Sequence, residues 1–138
     1  MLKPLDGVIP YRLEMQAKAP VGGAKDLYHY WGRKLYDALE EEGGEILNLA
    51  SKEYYKCIEK YKSKDTKMIT CVFAEESKGK LVQKGTYAKM ARGEMVRFMS
   101  EKKITRLEEI REFDRLEFKF SEEHSDDFTY TFLRNPVK

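Results

Sequence analysis

The sequence predicts an α+β fold, in which a mixed β-sheet is flanked by helices. Two stretches, 26–42 and 85–99, repeat apolar residues at the spacing of an amphipathic helix. The run 67–75 is the most apolar and β-branched part of the chain, which is typical of a central strand. Near the C-terminus apolar and polar residues alternate, as they do in strands with one buried face.

The length of 138 residues suits a single domain, which divides into a lead-in segment, 1–25, and an α+β body, 26–138. Three of the four prolines and three of the nine glycines fall in the lead-in segment, so this segment should be extended and loop-like. Within it, an alternating pattern over 11–15 would place Arg12 and Glu14 on one face of a strand. These two charges could pair on the surface or belong to a site.

The first helix of the body has start and stop signals. Asp26 can act as its N-cap, and Gly43 with Gly44 ends it after about Glu42. The sequence therefore predicts one long amphipathic helix, whose aromatic residues we expect to be packed. A short apolar strand over 45–50 follows it.

Ser51 stands where it can cap a helix over 52–61, directly after this strand. A helix N-terminus offers unpaired N–H groups and a partial positive charge, both of which attract phosphates and carboxylates. Asn48 and Ser51 are therefore candidate anion-binding residues. The structural alternative is an ordinary capped helix, since every such helix has this kind of end.

Strands and helices continue to the C-terminus. The central strand 67–75 should form a hairpin with 81–86, and a capping box at 105–108 should start a second, short helix after the helix 85–99. Two alternating strands, 115–120 and 128–132, should complete the sheet, with an acidic loop between them.

The helix 85–99 combines a packing face with a cationic face. Its apolar residues on one side are Tyr87, Ala91, Met95, Phe98 and Met99. The basic residues on the other side, together with one that precedes the helix, are Lys84, Lys89, Arg92, Arg97 and Lys103. Such a face can be a solvated surface, or it can bind an anion.

Charge is segregated along the chain and not carried by the whole molecule. The 26 basic and 24 acidic side chains leave a net charge of only +2, so any affinity for polyanions must come from local clustering. Between Lys84 and Arg106 there are seven lysines and arginines against two glutamates, whereas Glu40, Glu41 and Glu42 form an acidic block elsewhere.

No motif in the sequence requires an enzyme, a cofactor or a metal. His29 and His124 have no zinc-ligand spacing, and Cys57 and Cys71 should be buried free thiols because they lack CxxC spacing. We assign no catalytic residue. The sequence also shows no membrane span and no signal peptide, so we expect a cytoplasmic protein that does not associate with membranes.

Two functions remain open on the residues alone. The basic helix could contact nucleic-acid phosphates, with the arginines as forks and the lysines as point charges, giving affinity with little sequence preference. Alternatively, a pocket could hold one small anionic or nucleotide-like ligand, with or without catalysis. The residues of that pocket would be Arg12, Glu14, Asn48, Tyr87, Lys89 and Arg92, with Ser51 near it.

Four segments in this order resemble the YaaA family of bacterial peroxide-stress proteins. They read PLDGVIPYRLEM (4–15), DLYHYWG (26–32), NLASKEYYK (48–56) and YAKMARGEMVRF (87–98). The resemblance covers essentially all 138 residues, but only about the C-terminal half of a usual family member. It implies that the fold is the C-terminal part of the YaaA-type fold, with the N-terminal half absent.

The resemblance also favours the first of the two functions. YaaA-like proteins are associated with survival of hydrogen peroxide, with limiting iron-promoted DNA damage, and with DNA binding through a basic cleft. Family members usually read SFYAKKARG where this chain has Gly85, Thr86 and Met90 in place of Ser, Phe and the second Lys. One positive charge of the motif is therefore missing, and DNA-contacting helices of the family's N-terminal half are missing too.

Three expectations follow. The chain should self-associate or bind its missing N-terminal half, because an uncovered apolar patch tends to find a partner. It should bind no iron stoichiometrically, since no ligand set is visible. Its affinity for duplex DNA should fall with salt at a slope of about −3 to −4, if four cations of the basic helix contact phosphates.

Overall fold

A computed structural model describes residues 14–18 and 21–134, which fall into two compact units. The first unit contains the described residues before Glu45 together with Ala50–Thr66, and the second contains Glu45–Leu49 and the residues from Lys67 onward. Helices and a mixed sheet of five strands are present, which confirms the predicted α+β class. The predicted strand over 11–15 lies mostly outside the described residues.

The described residues of the first unit form three α-helices, α1 (Leu27–Trp31), α2 (Lys34–Glu42) and α3 (Lys52–Glu59). The capping role of Asp26 is confirmed, because its carboxylate accepts a 2.9 Å hydrogen bond from the backbone N–H of His29. The prediction of one helix up to Glu42 was wrong. Gly32 has φ +49° and ψ −127°, values outside the helical region, so α1 ends there and a second helix begins.

The side chain of Tyr36 forms the polar centre of this unit. Tyr36 is 1% exposed, and its hydroxyl group donates to Glu40 Oε1 at 2.8 Å and accepts from the backbone N–H of Ser63 at 3.2 Å. Thr66 Oγ1 lies 2.7 Å from the same hydroxyl. A buried phenol with this many partners ties α2 to the segment after α3.

The second unit is built on the five-stranded sheet. Its strands are β1 (Ile46–Asn48), β2 (Met68–Ser77), β3 (Lys80–Val82), β4 (Phe118–Phe120) and β5 (Thr129–Arg134). The order is β1-β2-β5-β4, and β3 also pairs with β2. Since β1 and β5 run parallel to β2 while β3 and β4 pair antiparallel, the carboxyl ends of β2 and β5 meet, with Glu75 opposite Arg134.

Helix α4 (Gly85–Lys102) packs on this sheet and confirms the predicted long helix. Its buried residues join an aromatic core in which Phe73 stacks on Phe132, with ring centres 5.2 Å apart. Phe113 meets both Phe98 and Phe132 edge to face, at 5.6 Å in each case. These apolar contacts hold α4 and the sheet together as one body.

The largest differences from the sequence prediction in this unit concern three elements. Strand β3 ends at Val82, not at 86, because α4 already begins at Gly85. The region of the supposed capping box forms a 3-10 helix, Leu107–Glu112, without a side-chain cap. The start of the predicted strand 115–120 is a turn, since Leu116 has φ +54° and cannot continue a strand.

Candidate nucleic-acid interface

The buried face of α4 fixes which of its basic residues can reach solvent. Ala88, Ala91, Met95 and Phe98 are at most 3% exposed and form this face. Tyr87 was expected to pack here but is 39% exposed, because Ala88, one residue later, takes the inward position.

The exposed lysines of α4 lie away from this face. Lys89, Lys102 and Lys103 are exposed, and within the described part of the chain they form no ion pair. Lys103 closes the helix in the left-handed conformation, with φ +52°. Cations without a carboxylate neighbour keep their full charge for an external anion.

Lys84, at the N-cap of α4, is held differently. Its Nζ lies 2.6 Å from Oε2 of Glu75, whose side chain is only 5% exposed. Arg134 NH1 approaches the other carboxylate oxygen at 3.6 Å. Two cations therefore contact one buried carboxylate, and the charge of Lys84 is paired with Glu75 within the protein.

Arg134 also determines the environment of Tyr87. Its guanidinium carbon lies 3.9 Å from the centre of the Tyr87 ring, which is a cation–π contact. Arg134 Nε donates to Glu117 Oε2 at 3.0 Å. Hydrogen bonds from Arg134 to Tyr87 and to Glu117 raise the pKa of Arg134, with the larger effect from Tyr87. The contact between Arg134 and Tyr87 links β5 to the start of α4.

Arg92 is half-buried at the margin of the packed face, and one of its terminal nitrogens donates to Gln83 Oε1 at 3.3 Å. This places Arg92 on the side of α4 next to the segment that leads into the helix. It is less available to a large partner than the exposed lysines are.

Arg97 belongs to a closed network of four charges. Its Nε donates to Glu101 Oε1 at 2.7 Å, and its NH1 lies 3.8 Å from Glu94 Oε1. Arg115, from the turn before β4, donates to Glu101 at 2.5 Å and to Glu94 at 3.3 Å, and its guanidinium lies 5.5 Å from the ring centre of Phe98. The hydrogen bonds from Arg115 and Arg97 lower the pKa of the Glu101 carboxyl.

The candidate pocket residues are distributed over both units. Glu14 is exposed and Ser51 is half-buried at the start of α3, where its hydroxyl forms no capping bond; both belong to the first unit. Asn48 is buried in the second unit and donates to Thr70 Oγ1 at 3.1 Å. Arg12 lies outside the described residues. The pocket stays a prediction.

Comparison with known proteins identifies the family. A sequence profile described as "Peroxide stress protein YaaA" matches residues 1–124. The chain belongs to the YaaA family. Over 134 residues it is 56% identical to a UPF0246 protein of Lachnoclostridium phytofermentans and 57% identical to one of Agathobacter rectalis. A UPF0246 protein of Desulfitobacterium hafniense is 52% identical over the same length.

In all three comparisons 97% of this chain is covered, but only 52–54% of the relative. The chain therefore spans about half the length of the curated relatives it matches. The resemblance noted in the sequence is confirmed, and its family is one of peroxide-stress proteins.

Sequence reasoning missed the acidic and basic partners that surround the basic residues of this YaaA-family chain. Glu75 was only the last residue of an apolar strand, although a charge inside such a run is a signal of a buried ion pair. Arg115 and Arg134 come from elements distant in sequence, and no local pattern connects them to α4.

The described residues contain no group of three or more His, Cys, Asp or Glu side chains placed to hold a metal ion. Both cysteines are buried and free, as predicted. Burial raises the pKa of the Cys57 thiol, and that of the Cys71 thiol to about 12. Among the described helices, none has the length and apolar character needed to cross a membrane.

Proposed function

We propose that this chain is a DNA-associated protein of the peroxide-stress response, which binds the phosphate backbone through the exposed side of α4. The contacts would come from Lys89 and Lys103, with Arg92 and Arg97 at the flanks of the helix. Lys84 contributes little, because Glu75 already neutralises it. The family description supports the link to peroxide stress.

The observation that carries the proposal is that the exposed lysines of α4 and its C-cap are not paired with carboxylates among the described residues. Lys89 and Lys102 lie on the 18-residue helix α4 and Lys103 lies at its C-cap; the helix is anchored in the core, and the described residues give these lysines no carboxylate partner. Charges held on a rigid helix can contact phosphates without a change in the backbone. Because the side chains are point charges and not base-edge readers, sequence preference should be weak.

The protective role would follow from binding at the site of damage. We infer that the chain helps to limit iron-promoted oxidation by covering DNA and by keeping loosely bound cations away from the phosphates it occupies. A protein that displaces counterions from DNA necessarily displaces some of the bound metal. No enzymatic step and no bound cofactor are part of this proposal, and neither is an iron site in the chain itself.

A double substitution tests the interface. Replacing Lys89 and Lys103 by Ala should reduce the magnitude of the slope of log K against log salt by about 1.8, since each phosphate contact contributes about 0.9. The control is the Lys52→Ala and Lys64→Ala double variant, which removes the same charge from exposed positions in the first unit. The control should keep the slope of the parent.

The small-ligand alternative predicts a different pattern. If Arg92 and Tyr87 lined a pocket, Arg92→Ala would abolish the affinity for one small anion, and the lysine variants would leave that affinity unchanged. Equal salt slopes for the parent and the Lys89→Ala, Lys103→Ala variant would rule out the proposed interface.

A further inference from the structure

Two arginines of the second unit share one carboxylate. Arg97 Nε donates to Oε1 of Glu101 at 2.7 Å, and Arg115 NH2 donates to Oε2 at 2.5 Å. Glu94, about two helical turns before Glu101, contacts the same two arginines. Its carboxylate lies 3.8 Å from Arg97 and 3.3 Å from Arg115. The guanidinium groups are thus spaced to grip an anion with at least two oxygens between them.

The turn that delivers Arg115 is conformationally unusual. Leu116 and Glu117, the two residues after it, have φ of +54° and +63°, in the left-handed region that non-glycine residues rarely adopt. Contacts on either side of them hold this conformation. Arg115 pairs with α4, and Glu117 pairs with Arg134. The turn that brings Arg115 to α4 therefore contains two residues, Leu116 and Glu117, in an unfavourable backbone conformation.

We propose that Arg97 and Arg115 form a phosphate clamp on α4, which Glu94 and Glu101 occupy until the DNA backbone replaces them. This rests on the proposed DNA-binding function, and it adds a binding residue from outside α4 together with an internal competitor. A phosphate offers the same pair of oxygens as a carboxylate, and arginine forks recognise both groups.

The exchange is feasible because the network lies at the surface. The side chains of Arg97, Glu101 and Arg115 are 67%, 45% and 25% exposed, so the internal ion pairs are solvated and weak. A DNA backbone presents many phosphates at once, whereas the protein offers two glutamates. By pairing with the arginines, Glu94 and Glu101 lower the affinity of the clamp for a single phosphate. An extended polyanion, which makes several contacts at once, can still displace them.

The test removes the competitor. Glu94→Gln with Glu101→Gln should tighten binding of a duplex of arbitrary sequence by about fivefold per glutamate at low salt, the scale of one unit-charge contact near 4 Å in water. The control, Glu122→Gln with Glu123→Gln, changes the net charge equally at exposed glutamates in the loop between β4 and β5, which have no ion pair among the described residues. It should change affinity by about twofold or less, because neither glutamate pairs with Arg97 or Arg115 and solvent-exposed charges are screened by salt.

A second arm tests Arg115 directly. Arg115→Ala should cancel most of the gain when added to the glutamine pair, and Arg115→Lys should restore the salt slope because it keeps the charge. Thermal unfolding of each variant separates binding from folding. If Arg115 were only a structural strut, Arg115→Ala would lower the melting temperature without changing the slope for the folded fraction, and the clamp would be refuted.

The two proposals fail in different ways. If Lys89→Ala with Lys103→Ala lowers the slope while the glutamine pair binds no better than its control, the clamp is wrong and the basic interface stands. If the parent shows no salt-dependent DNA binding, both are wrong. Inorganic phosphate at constant ionic strength should compete only weakly. Competition as strong as that of the duplex would show a site for free phosphate and overturn the clamp as a DNA contact.

Discussion

Replacing Glu75 by Gln should have opposite effects on stability and on DNA affinity. The Glu75 side chain is 5% exposed, and Lys84 Nζ lies 2.6 Å from it. Losing the charge weakens this hydrogen bond and leaves Arg134 beside a neutral amide. Hydrogen bonds to charged groups contribute about 1.5–3 kcal/mol, and the half-exposed lysine places the expected loss near the lower end, at about 1–2 kcal/mol.

The same substitution releases Lys84 at the start of α4. If that lysine then contacts a phosphate, the salt slope should become steeper by about 0.9. Urea unfolding followed by circular dichroism measures the first effect, and fluorescence anisotropy with labelled duplex measures the second. Glu76→Gln is the matched control, because Glu76 is the next residue of β2 and is exposed. Equal stability losses in the two variants would refute the reasoning about the buried ion pair.

Two further predictions concern the backbone and the core. Gly32→Ala should destabilise the chain by about 1 kcal/mol, because Gly32 has φ +49°, which alanine rarely adopts. Gly93→Ala should stabilise the chain by about 0.5–1 kcal/mol, because Gly93 lies inside α4 with open space around it. Urea unfolding measures both changes, and changes of the same sign would contradict this prediction. Burial raises the pKa of Cys71 to about 12 from 9.0, so the unfolded chain releases this proton first. The free energy of unfolding should therefore be unaffected by this thiol below pH 9 and fall as the pH rises from about 9 to 12, by up to about 1.4 kcal/mol per pH unit. Cys71→Ala should show a shallower fall, and an identical one would exclude the buried thiol as its cause.

The elements with strong periodicity could be predicted, and their ends could not. The period of α4 follows from residues such as Ala91, Met95 and Phe98, which are buried as the spacing requires. The helix expected over 26–42 breaks at Gly32, where the backbone leaves the helical conformation. The apolar pattern continues across this residue and therefore does not indicate the break. A pattern of side chains contains no direct information about a single positive φ.

The same limit explains the strand expected over 115–120. Arg115, Leu116 and Glu117 alternate as a strand would, but two of them adopt left-handed backbone angles. That conformation is stabilised by ion pairs with α4 and with Arg134, which are contacts between elements far apart in sequence. Local propensity was overridden by tertiary contacts.

The basic residues of the candidate interface were visible in the sequence, whereas their degree of neutralisation was not. Spacing alone treated Lys84, Arg97 and Lys89 as equivalent cations. The structure pairs Lys84 with Glu75 and Arg97 with Glu101, and it leaves Lys89 without an acidic neighbour among the described residues. Ion pairing depends on which carboxylates the fold brings close, and this cannot be derived from the helix by itself.

The salt dependence of DNA binding by the intact chain tests the central claim most directly. With about four phosphate contacts, the slope of log K against log salt should be about −3 to −4, so the affinity should fall roughly 100-fold between about 50 and 200 mM salt. Duplexes of unrelated sequence should give the same slope. Affinity that is absent, or that changes less than about threefold over this range, would contradict a backbone-binding face on α4.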